Sequence, residues 1–359
     1  MKFTRSSFIG TGRRFGSAAG ALAIGCLAVS SAAAQQVVWQ YGATAGAVNE
    51  VSIANLPNTN LVVTAVRNGG NRLELISWDN SGRSLVRKGS ITAGEIFSVS
   101  MVDLSATRVL TAVINGGGYV ELIAWEVSAA GKITRLGSVV GETASPVAVT
   151  ALNPRQVVTA YANSAGNLIV AAWGVSSTGA ITQQGSAIGE AVFELSIGTV
   201  SARQVMVGAQ NAAGNLVVES LAVTPIGVVT FQGENSAGEI FLLAGSGATT
   251  AVINGGGLLE MIVWSVNSNG TISRLMSGTA ETAFSVAVWD NITVAVDASS
   301  LINVGEWENV PPYGQVASAA NDLAGPSLAI APLTGGANAV VTASVNGSGD
   351  LELNVWTYM

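Results

Sequence analysis

Short runs of β-branched and apolar residues alternate with clusters of Asn, Gly, Ser and Pro along most of the chain. In residues 49–90 the runs NEVSIANL, LVVTAVR, RLELISWD and SLVRKGS are separated by PNTN, NGGN and NSGR. Runs of this kind predict strands, and the clusters between them predict turns. No stretch after residue 34 sustains the 3.6-residue period of an amphipathic helix, so we expect an all-β fold.

This four-strand unit recurs along the chain. Strings that resemble VVTAV are 43 to 48 residues apart, and a second marker, almost always Trp, keeps the same spacing. Seven copies of four antiparallel strands predict a seven-bladed β-propeller. The central residues of the strings are Thr64, Thr111, Thr159, Val207, Thr250, Val294 and Thr342, and the second markers are Trp78, Trp125, Trp173, Leu221, Trp264, Trp307 and Trp356.

The two ends of the repeat region complement each other. The stretch QVVWQYGATAGAVNEV, from residue 36, matches a fourth strand followed by the link into a first strand, and the chain ends directly after a third strand. We therefore expect residues 37–41 to complete the last blade beside residues 351–356. Ring closure of this kind removes the open sheet edges that favour aggregation.

The first 34 residues differ from the rest. They combine a basic start, an apolar stretch and a small-residue site at SAAAQQ, which is the pattern of a signal peptide. The pair Arg13 and Arg14 leaves general and twin-arginine export open. We expect residues 1–34 to be removed and residues 35–359 to form one exported, monomeric domain, periplasmic or extracellular, with no transmembrane segment.

Composition after residue 34 excludes several classes of function. There are 22 acidic and 11 basic residues, a net charge of −11, and neither histidine nor cysteine. The acidic balance argues against nucleic-acid binding. Without His and Cys, the chain cannot build a Ser-His-Asp triad, a Cys nucleophile or an ordinary zinc site. We predict no catalytic residue, no metal and no cofactor.

From end to end, residues 35–359 resemble secreted bacterial seven-bladed β-propeller repeat proteins. The resemblance rests on the seven-fold repeat and implies an architecture rather than an activity. The chain departs from the WD40 type, because Trp78-Asp79 matches the WD pair but no His exists for the Gly-His pair. It also lacks the SxDxGxTW boxes of sialidase-like propellers. The implied fold is similar to that of fucose-binding propeller lectins, but the resemblance gives no residue-by-residue match to their binding residues.

One carboxylate recurs in the links between blades. In a propeller, this link and the turn between the second and third strands fall on the same face, at one mouth of the central channel. The carboxylates suit a cation, a basic group or sugar hydroxyls, or else accept hydrogen bonds from the backbone of the next blade. Ala47 and Pro326 occupy the position in the other two blades. The five residues, called the arc glutamates below, are Glu95, Glu142, Glu190, Glu239 and Glu281.

Aromatic residues follow four of the arc glutamates. Phe97, Phe193, Phe241 and Phe284 lie two or three residues later, and we expect them in the core. If they reach a groove instead, Glu beside Phe suits the hydroxyl edge and the apolar face of a sugar. Phe97 and Phe241 therefore join the five arc glutamates as candidate binding residues. The repeated Trp residues are expected to pack between blades.

These observations favour a non-enzymatic binding or scaffold module that recognises a glycan or a protein. One alternative is a carbohydrate-active enzyme that uses glutamates at the channel mouth, and another is a purely structural surface protein. A deep pocket holding two glutamates roughly 5–10 Å apart would favour the enzyme. Shallow pockets repeated between blades would favour a lectin, and a plugged mouth would favour the structural protein.

Overall fold

The structure, a computed structural model, describes residues 36–307, 315–333 and 338–358. The predicted signal peptide lies outside these ranges and stays a prediction. All the regular elements in the described residues are β-strands, so the all-β expectation is confirmed. The strands are β1 (Val37–Asn55), β2 (Leu61–Asn68), β3 (Arg72–Asp79), β4 (Val86–Ser105), β5 (Arg108–Asn115), β6 (Tyr119–Val127), β7 (Ile133–Asn153), β8 (Gln156–Asn163), β9 (Asn167–Val175), β10 (Ile181–Ser201), β11 (Gln204–Asn211), β12 (Asn215–Val223), β13 (Val229–Ser246), β14 (Thr249–Asn254), β15 (Leu258–Val266), β16 (Ile272–Trp289), β17 (Ile292–Asp297), β18 (Leu301–Trp307), β19 (Gln315–Pro332), β20 (Ala339–Asn346) and β21 (Asp350–Tyr358).

Every third strand is long and belongs to two neighbouring antiparallel sets. The first half of β4 pairs with β3, for example, and its second half pairs with β5. We number the sets sheet 1 to sheet 7 in chain order. Sheet 1 contains the second half of β1, then β2, β3 and the first half of β4. Sheet 7 contains the second half of β19, then β20, β21 and the first half of β1.

The continuity of the long strands corrects one expectation. The fourth strand of one unit and the first strand of the next were predicted as separate elements joined by a link. Instead, residues such as Glu95 lie inside a continuous strand of 20 residues. The link TAGEIF around Glu95 contains no pair of turn-forming residues, so the backbone stays extended and changes partner through a β-bulge. One such register shift falls between Ile96 and Ser98.

The hydrophobic core lies between neighbouring sheets. Trp125 of sheet 2, for instance, is fully buried in one cluster with Val63, Leu73 and Leu75 of sheet 1. All six repeated Trp side chains are at most 2% exposed. The expectation that they pack between neighbouring units is confirmed. Because each sheet has only four strands, burial against its neighbours supplies most of its stabilisation.

The two sequence markers meet in the structure. In each of the six Trp-containing sheets, the indole Nε1 donates to the hydroxyl of a Thr 14 residues earlier, at 2.8–3.1 Å. In sheet 6 the acceptor is Thr293, so the assignment of Val294 as the sixth marker is wrong by one residue. The strand pairing explains the error, because Thr293 lies opposite Gly305, two residues before Trp307.

Sheet 4 replaces both partners of this hydrogen bond. Leu221 stands where the other sheets have Trp, and Val207 stands where they have Thr. The Leu side chain has no N–H to donate and the Val side chain has no hydroxyl to accept, so neither replacement leaves the other with an unpaired polar group. Joint replacement avoids the desolvation cost that the loss of a single partner would leave.

The long strands also contact one another directly. They do so in chain order, from β1 through β4, β7, β10, β13 and β16 to β19, and β19 also contacts β1. Side-chain hydroxyls join their second halves. The amide of Met101 donates to Ser52 Oγ at 3.0 Å, and that of Val149 donates to Ser100 Oγ at 3.2 Å. These bonds connect each sheet to the next beside the space that the long strands surround.

Removing the acceptor of one indole tests this account of the core. Thr111→Val keeps the shape of the side chain but leaves Trp125 Nε1, buried and 2.9 Å from the hydroxyl, without a partner. We expect it to lower the free energy of unfolding by about 1–3 kcal/mol, measured by urea denaturation. Thr111→Ser, which keeps the hydroxyl, is the control. Equal losses in both variants would contradict the account.

Candidate functional site

The turns between the second and third strands share one construction in all seven sheets. Each begins with Asn or Asp, whose Oδ1 accepts hydrogen bonds from the backbone amides two and four residues later. Asn115 Oδ1, for example, accepts from Gly117 N at 3.0 Å and Tyr119 N at 3.1 Å. Gly118 has a φ of 79°, which favours glycine. The starting residues are Asn68, Asn115, Asn163, Asn211, Asn254, Asp297 and Asn346.

The links that carry the arc glutamates lie against these turns. Gly116 N donates to the backbone oxygen of Glu95 at 2.8 Å, and Gly255 N donates to that of Glu239 at 2.7 Å. The side chains of all five arc glutamates are exposed. Turns and links therefore form one surface, called the turn face below, and the sequence prediction that they share a face is confirmed.

In the described residues, no backbone N–H donates a hydrogen bond to the side chain of an arc glutamate. Within the described residues, the only side-chain hydrogen bond to any of the five joins Tyr161 Oη to Glu142 Oε1 at 2.9 Å. Burial and this carboxylate raise the pKa of Tyr161 above its usual value. The structural interpretation, in which these side chains accept backbone N–H groups, is therefore wrong. Their carboxylates are available to a ligand.

The four phenylalanines are exposed, so the expectation that they lie in the core is also wrong. Their relative exposures are 52% for Phe97, 62% for Phe193, 53% for Phe241 and 60% for Phe284. Each lies in a β-bulge next to the residue that pairs with the turn Asn or Asp. A bulge changes the direction in which a side chain points. The bulges of sheets 2, 4, 5 and 6 thus present an aromatic ring to solvent.

Two pockets repeat between neighbouring sheets on the turn face. One, of about 350 Å³, is lined by Glu239, Asn254 and Glu260. The other, of about 80 Å³, occupies the equivalent place in the next repeat and is lined by Glu281, Asp297 and Asn303. Each pocket contains one arc glutamate and one turn-starting residue. Glu260 also bonds to Arg274 and Asn254.

A larger cavity lies between the second halves of the long strands. It has a volume of about 440 Å³, and residues of sheets 1, 4, 5, 6 and 7 line it. We call it the turn-side cavity, because its lining residues lie just after the bulges. Its charged groups are Glu50, Glu194 and Arg67.

Burial raises the pKa of both glutamates of the turn-side cavity. It raises the pKa of Glu50 more than the amide of Val99 and the charge of Arg67 lower it. It also raises the pKa of Glu194. Sequence reasoning missed these residues because it searched for recurring carboxylates. The available signal was a charged residue in a first strand otherwise built from small and apolar residues.

A second cavity lies toward the carboxyl ends of the long strands. It has a volume of about 360 Å³, and Asn55, Asp103 and Trp289 are among its lining residues. Burial raises the pKa of Asp103. Trp289 lies outside the repeated Trp series and is partly exposed, so it lines a cavity instead of filling the space between sheets.

Sheet 4 contains a further carboxyl group whose pKa is raised. Glu219 replaces the Ile found at the equivalent position of sheets 1, 2 and 5, and its Oε2 is buried without a hydrogen-bond partner. Burial first, and then the carboxylates of Glu234 and Glu190, raise its pKa to about 7. The carboxyl group of Glu219 therefore occupies a position that three other sheets fill with an apolar side chain.

Known structures share this fold. A crystal structure of a protein from Lactobacillus plantarum, a structural-genomics target, matches with a TM-score of 0.55 and 15% sequence identity. The match covers 78% of this chain and 90% of that chain. The chain has a β-propeller architecture. At this identity the likeness shows the propeller fold alone. No protein-family model and no curated protein matches the chain.

Two further properties concern only the described ranges. No helix there is long and apolar enough to span a membrane. No group of three or more His, Cys, Asp or Glu side chains in the same ranges is arranged to hold a metal ion.

Replacing Glu219 tests the perturbed carboxyl group. Its pKa is higher in the folded chain than the ordinary value of 4.5 for a glutamate, so its protonation stabilises the fold fully below pH 4.5 and progressively less as the pH rises through 7. We expect Glu219→Ile to raise the melting temperature at pH 8 and to change it little at pH 4.5. Glu126→Gln, at an exposed carboxylate, is the control. A gain that is equal at both pH values would contradict the assignment.

Proposed function

We propose that this protein is an exported, non-enzymatic binding module that uses the turn face of a seven-bladed propeller to bind a glycan. The proposal combines an architecture, a surface and a class of ligand. Export follows from the predicted leader. The observation that carries the choice of ligand is the row of exposed phenylalanines in the bulges.

The seven four-stranded sheets support a count of seven blades. Pairing of the first half of β1 with β21, which runs from Val37 opposite Tyr358 to Ala47 opposite Asp350, supports closure through the last blade. Contact between β19 and β1 points the same way. A closed ring would hold the turns of all blades on one rigid face, and rigid presentation lowers the entropic cost of binding.

The bulge phenylalanines support a glycan as ligand. Exposed aromatic rings on a rigid strand provide flat apolar faces, and the carboxylates beside them accept hydrogen bonds. A sugar ring offers both an apolar face and a rim of hydroxyl groups. Phe193, Phe241 and Phe284 belong to three consecutive sheets, so their positions suit a chain of several sugar units. The pockets containing Glu239 and Glu281 supply polar contacts at matching places.

Closure is tested by a disulfide between the first and last strands. Val38 lies directly opposite Thr357, and the chain has no cysteine after Cys26. We expect the oxidised double variant Val38→Cys and Thr357→Cys to form the bond and to gain about 2–4 kcal/mol in stability over its reduced form. Each single variant serves as a control. Failure of the bond to form, or a loss of stability, would contradict closure.

The binding surface is tested by a glycan array followed by alanine variants. We expect Phe193→Ala and Phe241→Ala each to weaken binding of the best array ligand by about 1–2 kcal/mol, because truncating an aromatic anchor removes its contact area. Their melting temperatures should change little, since both side chains are exposed. Ile226→Ala, at a 76% exposed site outside the turn face, should bind normally.

The same array separates the proposal from the two alternatives. Release of new reducing ends from a bound glycan would identify a carbohydrate-active enzyme. Absence of binding to every glycan would overturn the proposal and favour a protein partner or a purely structural role.

A further inference from the structure

The turn-side cavity is open to solvent, and it contains charges that the protein itself leaves incompletely paired. Its volume of about 440 Å³ falls in the range of small-molecule sites, roughly 300–1,000 Å³. None of the arc glutamates lines it. The site is therefore distinct from the pockets between neighbouring sheets, although it opens beside the same bulges.

Glu194 is a carboxylate without a counter-ion. It lines the turn-side cavity, its side chain is about half buried by its surroundings, and no hydrogen bond or ion pair to it occurs within the described residues. Burial alone accounts for its raised pKa. A buried charge without a partner is unfavourable, so a cationic group that enters the cavity would relieve this cost.

Glu50, by contrast, is held in place. Its Oε1 accepts a hydrogen bond from Val99 N at 3.0 Å, which joins sheet 1 to sheet 2 in the way that Ser52 and Ser100 do elsewhere. Its Oε2 lies 3.8 Å from Arg67 Nε. Glu50 therefore fixes the wall of the cavity and orients Arg67. Glu194 is the carboxylate left for a ligand.

Arg67 offers a donor to the same ligand. Its Nε is buried and has no hydrogen-bond partner in the described part of the chain, since the distance to Glu50 is too long for a hydrogen bond. An unpaired buried donor favours a ligand that carries an acceptor oxygen. A hydroxyl group meets this requirement without adding a charge that Glu50 would repel.

The remaining lining is mixed, with Asn49, Ser285 and Ser327 beside several apolar side chains. Leu242, Leu243, Val286 and Leu328 line the cavity. Three bulge phenylalanines directly precede lining residues in the sequence, namely Phe193 before Glu194, Phe241 before Leu242 and Phe284 before Ser285. These rings therefore lie beside the cavity that Glu194 and Arg67 line.

We propose that the turn-side cavity binds the ammonium group of an amino sugar, with Glu194 as counter-ion and Arg67 as donor to a neighbouring hydroxyl. This inference rests on the proposed glycan-binding function and narrows its ligand to glycans with free amino groups. The excess of acidic residues after residue 34 favours such a cationic glycan, because the charges attract each other before contact.

The test compares three β-1,4-linked tetrasaccharides of equal length by isothermal titration calorimetry with residues 35–359. One consists of glucosamine, one of N-acetylglucosamine and one of glucose. We expect the glucosamine tetramer to bind at least tenfold more tightly than the other two, since a charge-assisted hydrogen bond discriminates by that factor or more. Glu194→Gln should abolish the preference, so that the glucosamine and glucose tetramers bind with similar affinity.

Glu126→Gln is the matched control, because it removes the same charge from an exposed site at the far end of β6. It should keep the full preference for the amine. The melting temperature of Glu194→Gln should stay the same or rise, since the variant removes an unpaired charge. This measurement separates a loss of binding from a loss of folding.

The possible failures are distinguishable. If all three tetramers bind equally, with affinities that depend on Phe193 and Phe241, the glycan function stands and the inference about the cavity is wrong. If no glycan binds, including those on the array, the proposed function fails and the inference fails with it. Binding of a lysine peptide that depends on Glu194, without binding of any saccharide, would also overturn the amino-sugar assignment.

Discussion

The hydrogen bond from a buried indole to a threonine hydroxyl sets how each sheet packs against its neighbour. Every partner lies in the second or third strand of its sheet, so the bond fixes their register while the indole fills the space beside the preceding sheet. A Trp at this position without its Thr partner would bury an unpaired N–H. A Thr without its Trp partner would bury an unpaired hydroxyl. Sheet 4 obeys the same constraint by lacking both, with Val207 and Leu221 in their places.

Features that depend on local pattern were predictable from the sequence. The second and third strands, their Asn-Gly turns and the burial of the repeated Trp all follow from residues close to one another in the chain. The exposure of Phe97 did not follow, because a bulge shifts the alternation of buried and exposed positions by one residue. Continuity of the long strands was missed for a related reason, since a change of pairing partner needs no turn. Glu50 and Glu194 belong to one cavity only through the arrangement of distant sheets.

The residues that pack the sheets recur along the chain, whereas the exposed residues at the bulges vary. Trp, Thr and the turn Asn recur because each has the same packing task in nearly every sheet. The bulge carries Phe in four sheets but Asn49 in sheet 1 and Ser145 in sheet 3, where the register also shifts. Since a bulged side chain points to solvent, its identity has little effect on stability. Sequence variation among the repeats is therefore concentrated at exposed positions that do not contribute to packing between sheets.

The long strands have a consequence for modularity. Each one contributes its first half to one sheet and its second half to the next, so the boundary of a sheet falls in the middle of a strand. Excision of a single period between two equivalent turns would pair a second strand with the third strand of the following sheet, because neighbouring sheets share a long strand. Copies of the unit can thus diverge in sequence, but the boundaries between sheets do not coincide with the boundaries between strands.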